Sequence, residues 1–442
     1  MLPLLVQGGR LFDPGRELDG IGSLLIEGEE ISWLGTGEDS LPVSDCDVLV
    51  VPGLLVCPGF MDLHCHLREP GYEEKETIST GTLAAARGGF TTVCCMPNTR
   101  PPLDSSAAVK RVLSVAARQG AVRVLPVGCI TRERAGRELV DMAGLASAGV
   151  VGFSDDGDAV ADADLMQRAL EAARELGLPV IEHCEDRDLS ANGIVNEGAV
   201  SRRLGVRGIP AASEETVLRR DIELARANGG HLHVAHVSTR GSVELIRRAK
   251  GEGVAVTAEV TPHHLILTEE DVIACGASAK VNPPLRTRQD ADALIEGLND
   301  GTIDVIATDH APHTEEEKSR GLELAPFGIS GFETALGSLM GLVASGRLSL
   351  STLVAKLTVS PAAILGRRFG RLGSLEVGAV GDVAVIDPAK RWIVEPALFA
   401  SRGRNTPLAG RTLVGKVVAT ISRGRLVHRE QPAQFQPGRR EG

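Results

Sequence analysis

Gly59-Phe60-Met61-Asp62-Leu63-His64-Cys65-His66-Leu67-Arg68-Glu69-Pro70 is the stretch that decides the fold. It follows an apolar run over residues 54–57 that is typical of a buried strand. Because side chains alternate between faces along a strand, His64 and His66 point to one side and Cys65 to the other. Two such imidazoles can hold a metal ion, and Arg68 adds a guanidinium for an anion. Two ordinary histidines near a turn are the alternative.

From residue 54 onwards, between the two ends of the chain, strand-like and helix-like segments alternate eight times. Eight such units predict an α/β fold of the (β/α)8 barrel (TIM barrel) type, and continuous apolar strands suit a parallel sheet buried on both faces. A doubly wound open sheet is the alternative. The predicted strands are residues 54–62, 91–96, 122–130, 150–153, 179–183, 232–237, 254–260 and 303–307, and examples of predicted helices are 105–118, 163–176, 214–227 and 242–251.

Both ends of the chain carry short runs rich in β-branched residues, separated by Gly, Pro and Asp. We therefore expect residues 1–53 and 372–442 to meet in one small β-sandwich beside a barrel of residues 54–371. The last segment, 431–442, is polar and rich in Pro and Gly, which predicts a frayed tail.

The composition is that of a globular protein, with 442 residues of which 43% are hydrophobic and 24% charged. The net charge of −11 argues against a nucleic-acid or anionic-membrane partner, although a local arginine and a metal would still admit a small anionic substrate. We see no signal peptide and no apolar run long enough to span a bilayer. The eight cysteines lack CxxC spacing, which indicates reduced, buried thiols and a cytoplasmic protein.

Histidine and aspartate recur at five of the predicted strand ends, and in a barrel the carboxyl ends of the strands share one rim. Individually these residues could be strand-end histidines, turn residues or helix caps, and His263-His264 beside Pro262 could be a helix entry. Together they favour one metal site. Six candidate ligands exceed one tetrahedral site and suit two divalent ions, with Zn2+ the best match to imidazole and carboxylate. The candidates are His64, His66, Asp156, His183, His236 and Asp309, with Asp155 as an alternative to Asp156.

Seven motifs, in unbroken order from about residue 53 to about residue 370, resemble those of the dihydroorotases of the amidohydrolase superfamily, and most of all the bacterial class I enzymes. They are His64-Cys65-His66-Leu67-Arg68-Glu69-Pro70-Gly71, Met96-Pro97-Asn98-Thr99, Phe153-Ser154-Asp155-Asp156-Gly157, Glu182-His183, Ala235-His236-Val237-Ser238-Thr239, Val281-Asn282-Pro283-Pro284-Leu285-Arg286 and Thr308-Asp309-His310-Ala311-Pro312-His313.

The resemblance implies a role for each of these positions. His64 and His66 would bind one metal, His183 and His236 the other, and Asp156 would bridge them. Asp309 would be both a ligand and the catalytic acid/base. Substrate contacts would come from His66, Arg68, Asn98, Asn282, His313, Phe327 and Gly328, with the last two against the pyrimidine ring.

The resemblance also implies the reaction, which is the reversible cyclisation of N-carbamoyl-L-aspartate to L-dihydroorotate in de novo pyrimidine (UMP) biosynthesis. A zinc-bound hydroxide would be the nucleophile for ring opening. Class I relatives sometimes assemble with aspartate transcarbamoylase, so that enzyme is a candidate partner, and we expect a homo-oligomer. Residues 314–318 are polar and predict a solvated loop or a lid.

Two other functions compete with this one. Hydantoinases, dihydropyrimidinases and allantoinases commonly bridge their metals with a carbamylated lysine on the fourth strand. Residues 149–153 contain no lysine, which favours a resemblance to the class I dihydroorotases. A non-enzymatic relative is the second alternative, but every expected ligand is present.

Overall fold

The computed structural model of the chain describes residues 2–36 and 45–438. Its strands are β1 (Leu4–Asp13), β2 (Leu18–Glu27), β3 (Glu30–Thr36), β4 (Asp47–Val50), β5 (Leu55–Pro58), β6 (Phe60–Cys65), β7 (Phe90–Cys95), β8 (Arg123–Pro126), β9 (Val180–Glu182), β10 (Val195–Asn196), β11 (Gly208–Ile209), β12 (Leu232–Val234), β13 (Val256–Val260), β14 (Val305–Ile306), β15 (Val383–Ile393), β16 (Thr412–Ser422), β17 (Arg425–Arg429) and β18 (Gln434–Gln436).

The α-helices are α1 (Ile78–Arg87), α2 (Ser106–Gln119), α3 (Met142–Ala148), α4 (Ala163–Glu175), α5 (Arg187–Ser190), α6 (Ala199–Leu204), α7 (Ala211–Asn228), α8 (Arg240–Gly251), α9 (Pro262–Ile266), α10 (Asp271–Cys275), α11 (Arg288–Asp300), α12 (Glu315–Lys318), α13 (Gly321–Leu324), α14 (Ala335–Ala344), α15 (Leu350–Leu357) and α16 (Val359–Leu365). Over residues 2–36 and 45–438, no helix combines the length and the apolar character that a membrane span requires.

Parallel strands form the predicted barrel. β6, β7 and β8 pair in order, and β9, β12, β13 and β14 form the other arc. Phe153 joins the two arcs by bridges to Gly128 and Val180, and Cys65 closes the ring by a bridge to His310. The doubly wound alternative is therefore wrong, because an open sheet would leave β6 and the chain after β14 unpaired.

The barrel helices begin and bury one face as their sequences dictate. In α4, Asp162 caps the first turn by accepting from the backbone N–H groups of Asp164 and Leu165. Its buried side chains recur at helical spacing on one side and join the main core between helices and strands. A separate cluster packs inside the barrel, with Leu63, Cys94, Leu125, Val151, Ile181, Ala235 and Val305 among its members.

The two ends of the chain meet in one branched sheet of nine strands with its own core. On one side β1 pairs with β4 through its first half and with β5 through its second. On the other side it pairs with β2, and that register shifts between Gln7 and Gly9. β15 then pairs with β5, which joins the C-terminal strands to the N-terminal ones. The chain divisions at 53/54 and 371/372 stay predictions.

Four local predictions were wrong. The predicted strand over residues 150–153 is reduced to the bridges that Phe153 forms with Gly128 and Val180. The single strand over residues 54–62 is two strands, because β5 pairs with β1 and β15 in the branched sheet, whereas β6 belongs to the barrel. The tail is not frayed over Gln434–Gln436, which pairs with β4; residues 439–442 lie outside the described part. The predicted loop over 314–318 is the short helix α12, capped by Thr314 and with Lys318 buried.

Candidate active site

The six predicted ligands meet at the carboxyl ends of the barrel strands. His64 lies on β6, and His66, His183, His236 and Asp309 follow β6, β9, β12 and β14 within three residues. Asp156 lies three residues after Phe153, which bridges the two arcs of the barrel. All six side chains are buried, with His64 fully enclosed. The fold therefore gathers them at one rim, where parallel strand ends must converge.

Asp156 stands at the centre of the ligands. Its Oδ1 lies 3.3 Å from His64 Nε2, 3.8 Å from His183 Nδ1 and 3.9 Å from His236 Nε2. Its Oδ2 lies 3.6 Å from His66 Nε2. Two groups able to hold a metal ion share this carboxylate, namely His64, His66 and Asp156, and Asp156, His183 and His236.

Asp155 points away from this centre. Its Oδ1 accepts from the backbone N–H groups of Ile130 (2.8 Å) and Thr131 (3.0 Å), and its Oδ2 accepts from the Thr131 hydroxyl. These hydrogen bonds occupy both oxygens of Asp155 and hold the segment that follows β8. Of the two adjacent aspartates, Asp156 alone faces the histidines.

Asp309 lies beside the first pair of histidines. Its Oδ1 is 3.0 Å from His66 Nε2 and 3.7 Å from His64 Nε2. Burial would raise the pKa of Asp309, but the close contact with His66 and the charges of the nearby histidines hold the pKa below its ordinary range. The same balance, with His64 as the largest opposing influence, holds the pKa of Asp156 well below its usual value.

Three site residues adopt a left-handed backbone, namely Arg68 (φ 59°), His236 (φ 31°) and Asp309 (φ 44°). Residues other than glycine rarely take this conformation, which costs on the order of 1–3 kcal/mol and concentrates at functional sites. The surrounding hydrogen bonds must therefore hold the backbone at three separate strand ends.

A second layer of side chains orients the histidines. His64 Nδ1 donates to Glu259 Oε1 at 2.7 Å, and Glu259 Oε2 lies 3.1 Å from His233 Nε2. His66 Nδ1 donates to Asn98 Oδ1 at 2.9 Å, and His183 Nε2 donates to Glu185 Oε2 at 3.2 Å. Each ring thereby turns its other nitrogen towards the centre.

Glu259, Glu185 and Asp62 were not predicted as site residues from the sequence. Asp62 accepts from the backbone N–H (2.7 Å) and hydroxyl (2.6 Å) of Thr308, which ties β6 to the chain just before Asp309. Burial raises the pKa of Asp62 to about 7, against the effect of these two bonds. The available signal was a carboxylate inside an otherwise apolar strand, which Asp62 and Glu259 share.

The imidazole nitrogens and carboxylate oxygens of the six candidate ligands are arranged to bind cations. With Nδ1 of His64 and His66 donating outwards, their Nε2 lone pairs face carboxylate oxygens 3.0–3.3 Å away. That arrangement is repulsive unless a proton or a metal ion lies between them. His64 Nε2 and His236 Nδ1 are also buried without a hydrogen-bond partner, and His183 Nδ1 lies 2.9 Å from His236 Nε2.

The ligands open onto a cavity of about 300 Å³. Its lining contains every predicted ligand except His64, and every predicted substrate contact: His66, Arg68, Asn98, Asn282, His313, Phe327 and Gly328. Lysine is absent from this lining within residues 2–36 and 45–438. His263 and His264 do not line it either; they lie in α9, as the helix-entry alternative predicted, and His264 is bonded to Thr261 and Pro283.

Arg68 faces the cavity without a carboxylate partner. Its Nε donates to Pro312 O at 3.2 Å, and its terminal nitrogen lies 3.3 Å from His313 Nε2. Among the described residues, none forms an ion pair with it. Burial lowers its pKa, while Asp309 and Asp156 oppose that effect. A half-buried guanidinium in this position is ready to receive an anion.

Two asparagines and one glycine complete the predicted substrate contacts in the cavity. Asn98 Nδ2 donates to Asp156 Oδ2 at 2.9 Å, so this residue touches two candidate ligands as well as the cavity. Asn282 Nδ2 donates to Glu185 Oε2 at 2.9 Å. Gly328 has φ 139°, and a Cβ there would lie 2.6 Å from Ala311 O, so only glycine fits this position.

Sequence comparison finds close relatives over nearly the whole chain. A family model described as Dihydro-orotase-like matches residues 53–242. A protein named dihydroorotase from Pelotomaculum thermopropionicum is 51% identical over 432 residues, which are 97% of this chain and 99% of that protein. A dihydroorotase from Aquifex aeolicus is 44% identical over 430 residues, covering 97% of this chain and 100% of the relative.

Comparison with solved structures finds the same architecture in more distant proteins. The L-hydantoinase (dihydropyrimidinase) from Arthrobacter aurescens matches with a TM-score of 0.87 and 24% identity, covering 99% of this chain and 98% of that one. Dihydropyrimidinase from Brevibacillus agri matches with a TM-score of 0.82 and 22% identity, covering 98% and 96%. At this identity the likeness establishes the fold, that of a barrel with a β-rich domain.

Proposed function

The chain belongs to the dihydroorotase family of cyclic amide hydrolases, and we propose that it interconverts N-carbamoyl-L-aspartate and L-dihydroorotate at a centre of two divalent metal ions. This reaction serves de novo pyrimidine biosynthesis. The observation that carries the proposal is Arg68, which forms no ion pair with a carboxylate among the described residues and faces the same cavity of about 300 Å³ as the candidate ligands. A substrate with both a cyclic amide and a carboxylate satisfies both features.

We assign His64 and His66 to one ion, His183 and His236 to the other, and Asp156 to the bridge, with Asp309 as a further ligand. Imidazole and carboxylate together favour Zn2+. When bound, such ions supply Lewis acidity, which lowers the pKa of a water molecule and polarises a carbonyl oxygen. The outer partners Glu259, Asn98 and Glu185 keep each imidazole in the tautomer that coordination requires.

Asp309 moves the proton in this proposal. In ring opening, its carboxylate accepts a proton from the attacking water and delivers it to the departing ring nitrogen; ring closure reverses both transfers. A pKa held below the ordinary range keeps Asp309 ionised at neutral pH and therefore ready to accept. Its burial also limits exchange of that proton with solvent.

The substrate's α-carboxylate would bind Arg68, Asn98 and His313. The guanidinium can make two parallel hydrogen bonds to a carboxylate, which fixes orientation as well as charge. Burial lowers the pKa of His313 to about 2, with Arg68 adding to that effect, so His313 is neutral and can act as a hydrogen-bonding partner. Asn282, Phe327 and Gly328 would contact the ring.

The alternative function, that of a hydantoinase or an allantoinase, has weaker support. The similarity to hydantoinases concerns the fold at 24% identity or below, whereas relatives above 40% identity are named dihydroorotases. Lysine is also missing from the described cavity lining, where the carbamylated bridge of those enzymes would lie.

The proposal also covers the cellular location of the enzyme and its partners. We place it in the cytoplasm, consistent with eight cysteines that form no disulfide in the described chain. A homo-oligomer and association with aspartate transcarbamoylase stay predictions.

The substrate test compares four cyclic amides. Zn2+-loaded protein is assayed with L-dihydroorotate, dihydrouracil, hydantoin and allantoin. We expect dihydroorotate to be opened with a kcat/KM more than about a hundredfold above that for dihydrouracil, which lacks the carboxylate, because a built anion site rejects the uncharged analogue. Turnover of hydantoin without dihydroorotate would refute the proposal.

The Arg68→Ala variant tests the same claim at one residue. Its kcat/KM for dihydroorotate should fall about a hundredfold, mainly through KM, and its preference over dihydrouracil should vanish. Arg111→Ala, on the exposed face of α2, is the matched control and should behave like the wild type. An unchanged preference in Arg68→Ala would exclude this arginine as the carboxylate contact.

A further inference from the structure

Two irregular segments form one wall of the cavity. Ala311 and His313 follow β14, and residues 326–328 follow α13. The segments touch, because His313 Nε2 lies 2.8 Å from Phe327 O, and Ala311 N donates to Ile329 O at 2.8 Å. Neither has the repeating main-chain bonds of a helix or strand, so side chains from elsewhere must fix their positions.

Asn405 joins the two segments from a remote part of the chain. Its Nδ2 donates to Ala311 O (3.1 Å) and Gly328 O (2.9 Å). Its Oδ1 accepts from His313 N (2.9 Å) and from the Ser330 hydroxyl (3.0 Å). The side chain is 7% exposed, and its two donors and both acceptor positions are used. A buried amide satisfied in this way holds both segments in one arrangement.

Lys318 holds the same wall from α12. Its Nζ donates to Pro326 O at 2.9 Å and to Gly328 O at 3.0 Å. Gly328 O therefore accepts from both Lys318 and Asn405. Burial lowers the pKa of Lys318 to about 7, with Lys280 adding to that effect and Glu317 opposing it. An amine kept in such an unfavourable position needs these carbonyl acceptors.

The segment that carries Asn405 lies directly against the wall. A Cβ at Gly403 would be 2.7 Å from Pro312 Cα, so only glycine allows this approach. The Ser330 hydroxyl also lies 2.9 Å from Gly403 O, so its one proton is shared between that carbonyl and Asn405 Oδ1. Ser330 N donates to Asn405 O at 2.8 Å. Residues 403–405 are thus packed and bonded against the segments on either side of them.

We propose that Asn405 and Lys318 are positioning residues that fix the wall formed by residues 311–313 and 326–328, and so set the affinity of the site for its substrate. The proposal rests on the proposed function for the identity of that substrate. It makes the chain between β15 and β16 a structural part of the active site, although it contributes no cavity-lining residue.

The test combines kinetics with backbone hydrogen exchange in Asn405→Ala and Lys318→Met, using the full-length, Zn2+-loaded protein. KM for L-dihydroorotate should rise about tenfold or more, because displacing a contact wall by about 1 Å has effects of this order. kcat should change much less, since the metal ligands and Asp309 keep their contacts. In Asn405→Ala, the amides of Ala311, His313 and residues 328–330 should exchange about tenfold faster than in the wild type.

Matched controls are available for both residues. Asn299 donates one exposed hydrogen bond to Arg347 O, so Asn299→Ala should change neither KM nor exchange at the wall. Lys356 donates to Ile303 O, before β14, so Lys356→Met removes a comparable lysine–carbonyl bond at the opposite end of the barrel. If Asn405→Ala does not fold, Asn405→Asp keeps the acceptor oxygen for His313 N but loses both donated bonds.

Either of two exchange results would overturn the proposal: unchanged exchange in the wall segments, or exchange that rises equally throughout the barrel. A fall in kcat at constant KM would do the same. If the wild type fails to open dihydroorotate, the proposed function fails, whereas the exchange data still decide whether these residues hold the wall.

Discussion

Asp309 is the residue on which the proposed chemistry depends most. Asp309→Asn preserves its shape but not its charge, so the side chain can no longer accept a proton. We expect kcat for dihydroorotate to fall by about a thousandfold. Elemental analysis of the same preparation shows whether metal is still bound. A near-normal kcat in the loaded variant would remove Asp309 from its role as acid/base.

Glu259 acts through His64 rather than on the substrate. Its carboxylate accepts from His64 Nδ1 at 2.7 Å and is fully buried. Glu259→Gln weakens this bond, and loss of such an outer partner lowers metal affinity by about 10- to 100-fold. Competition with a chelator measures this directly. Glu296→Gln, on the exposed face of α11, is the control, and equal affinities in both variants would contradict the assignment.

At the scale of single residues, the candidate metal ligands could be chosen from the sequence because histidine and aspartate stood at predicted strand ends. It could not choose between Asp155 and Asp156 from the residues, since both follow the same strand. Their hydrogen bonds separate them: Asp155 is held by Ile130 and Thr131, and Asp156 faces the histidines. Asn405 carried no sequence signal, because its partners lie more than 70 residues away.

At the scale of elements, periodicity predicted helices and apolar runs well but could not assign strands to sheets. β5 and β6 form one apolar stretch in the sequence, interrupted at Gly59. Pairing places β5 beside β1 and β15 and places β6 beside β7. β18 was missed because three polar and aromatic residues have no clear strand pattern; pairing with β4 makes them a strand.

β17 carries a prediction about acid stability. Burial lowers the pKa of His428 to about 4, with Arg87 and Lys416 adding to that effect and Glu430 opposing it. In the unfolded chain this histidine takes up a proton below about pH 6.5. Between about pH 6.5 and 4 the unfolded state therefore binds more protons, so the free energy of unfolding falls as the pH falls.

Replacing His428 should reduce that acid sensitivity. In His428→Gln, the loss of unfolding free energy between pH 7.5 and 4.5 should be smaller than in the wild type by about 1–2 kcal/mol. Urea unfolding at both pH values provides the measurement. A loss equal to that of the wild type would show that His428 titrates in the folded protein much as it does in the unfolded chain.

At the scale of the whole molecule, the barrel brings the six candidate ligands together at one rim, and the branched sheet joins the two ends of the chain. The barrel could be predicted because its eight units repeat along the sequence. The contact between the chain before β16 and the cavity wall could not, since it depends on how the C-terminal segment packs against Pro312.

The central claim is that this rim is a two-metal dihydroorotase site. The most direct measurement titrates metal-free protein with Zn2+ while following the opening of L-dihydroorotate. The account predicts no turnover without metal and a rate that rises until two ions are bound per chain. Full turnover by the metal-free protein, or two bound ions with no opening of dihydroorotate, would contradict it.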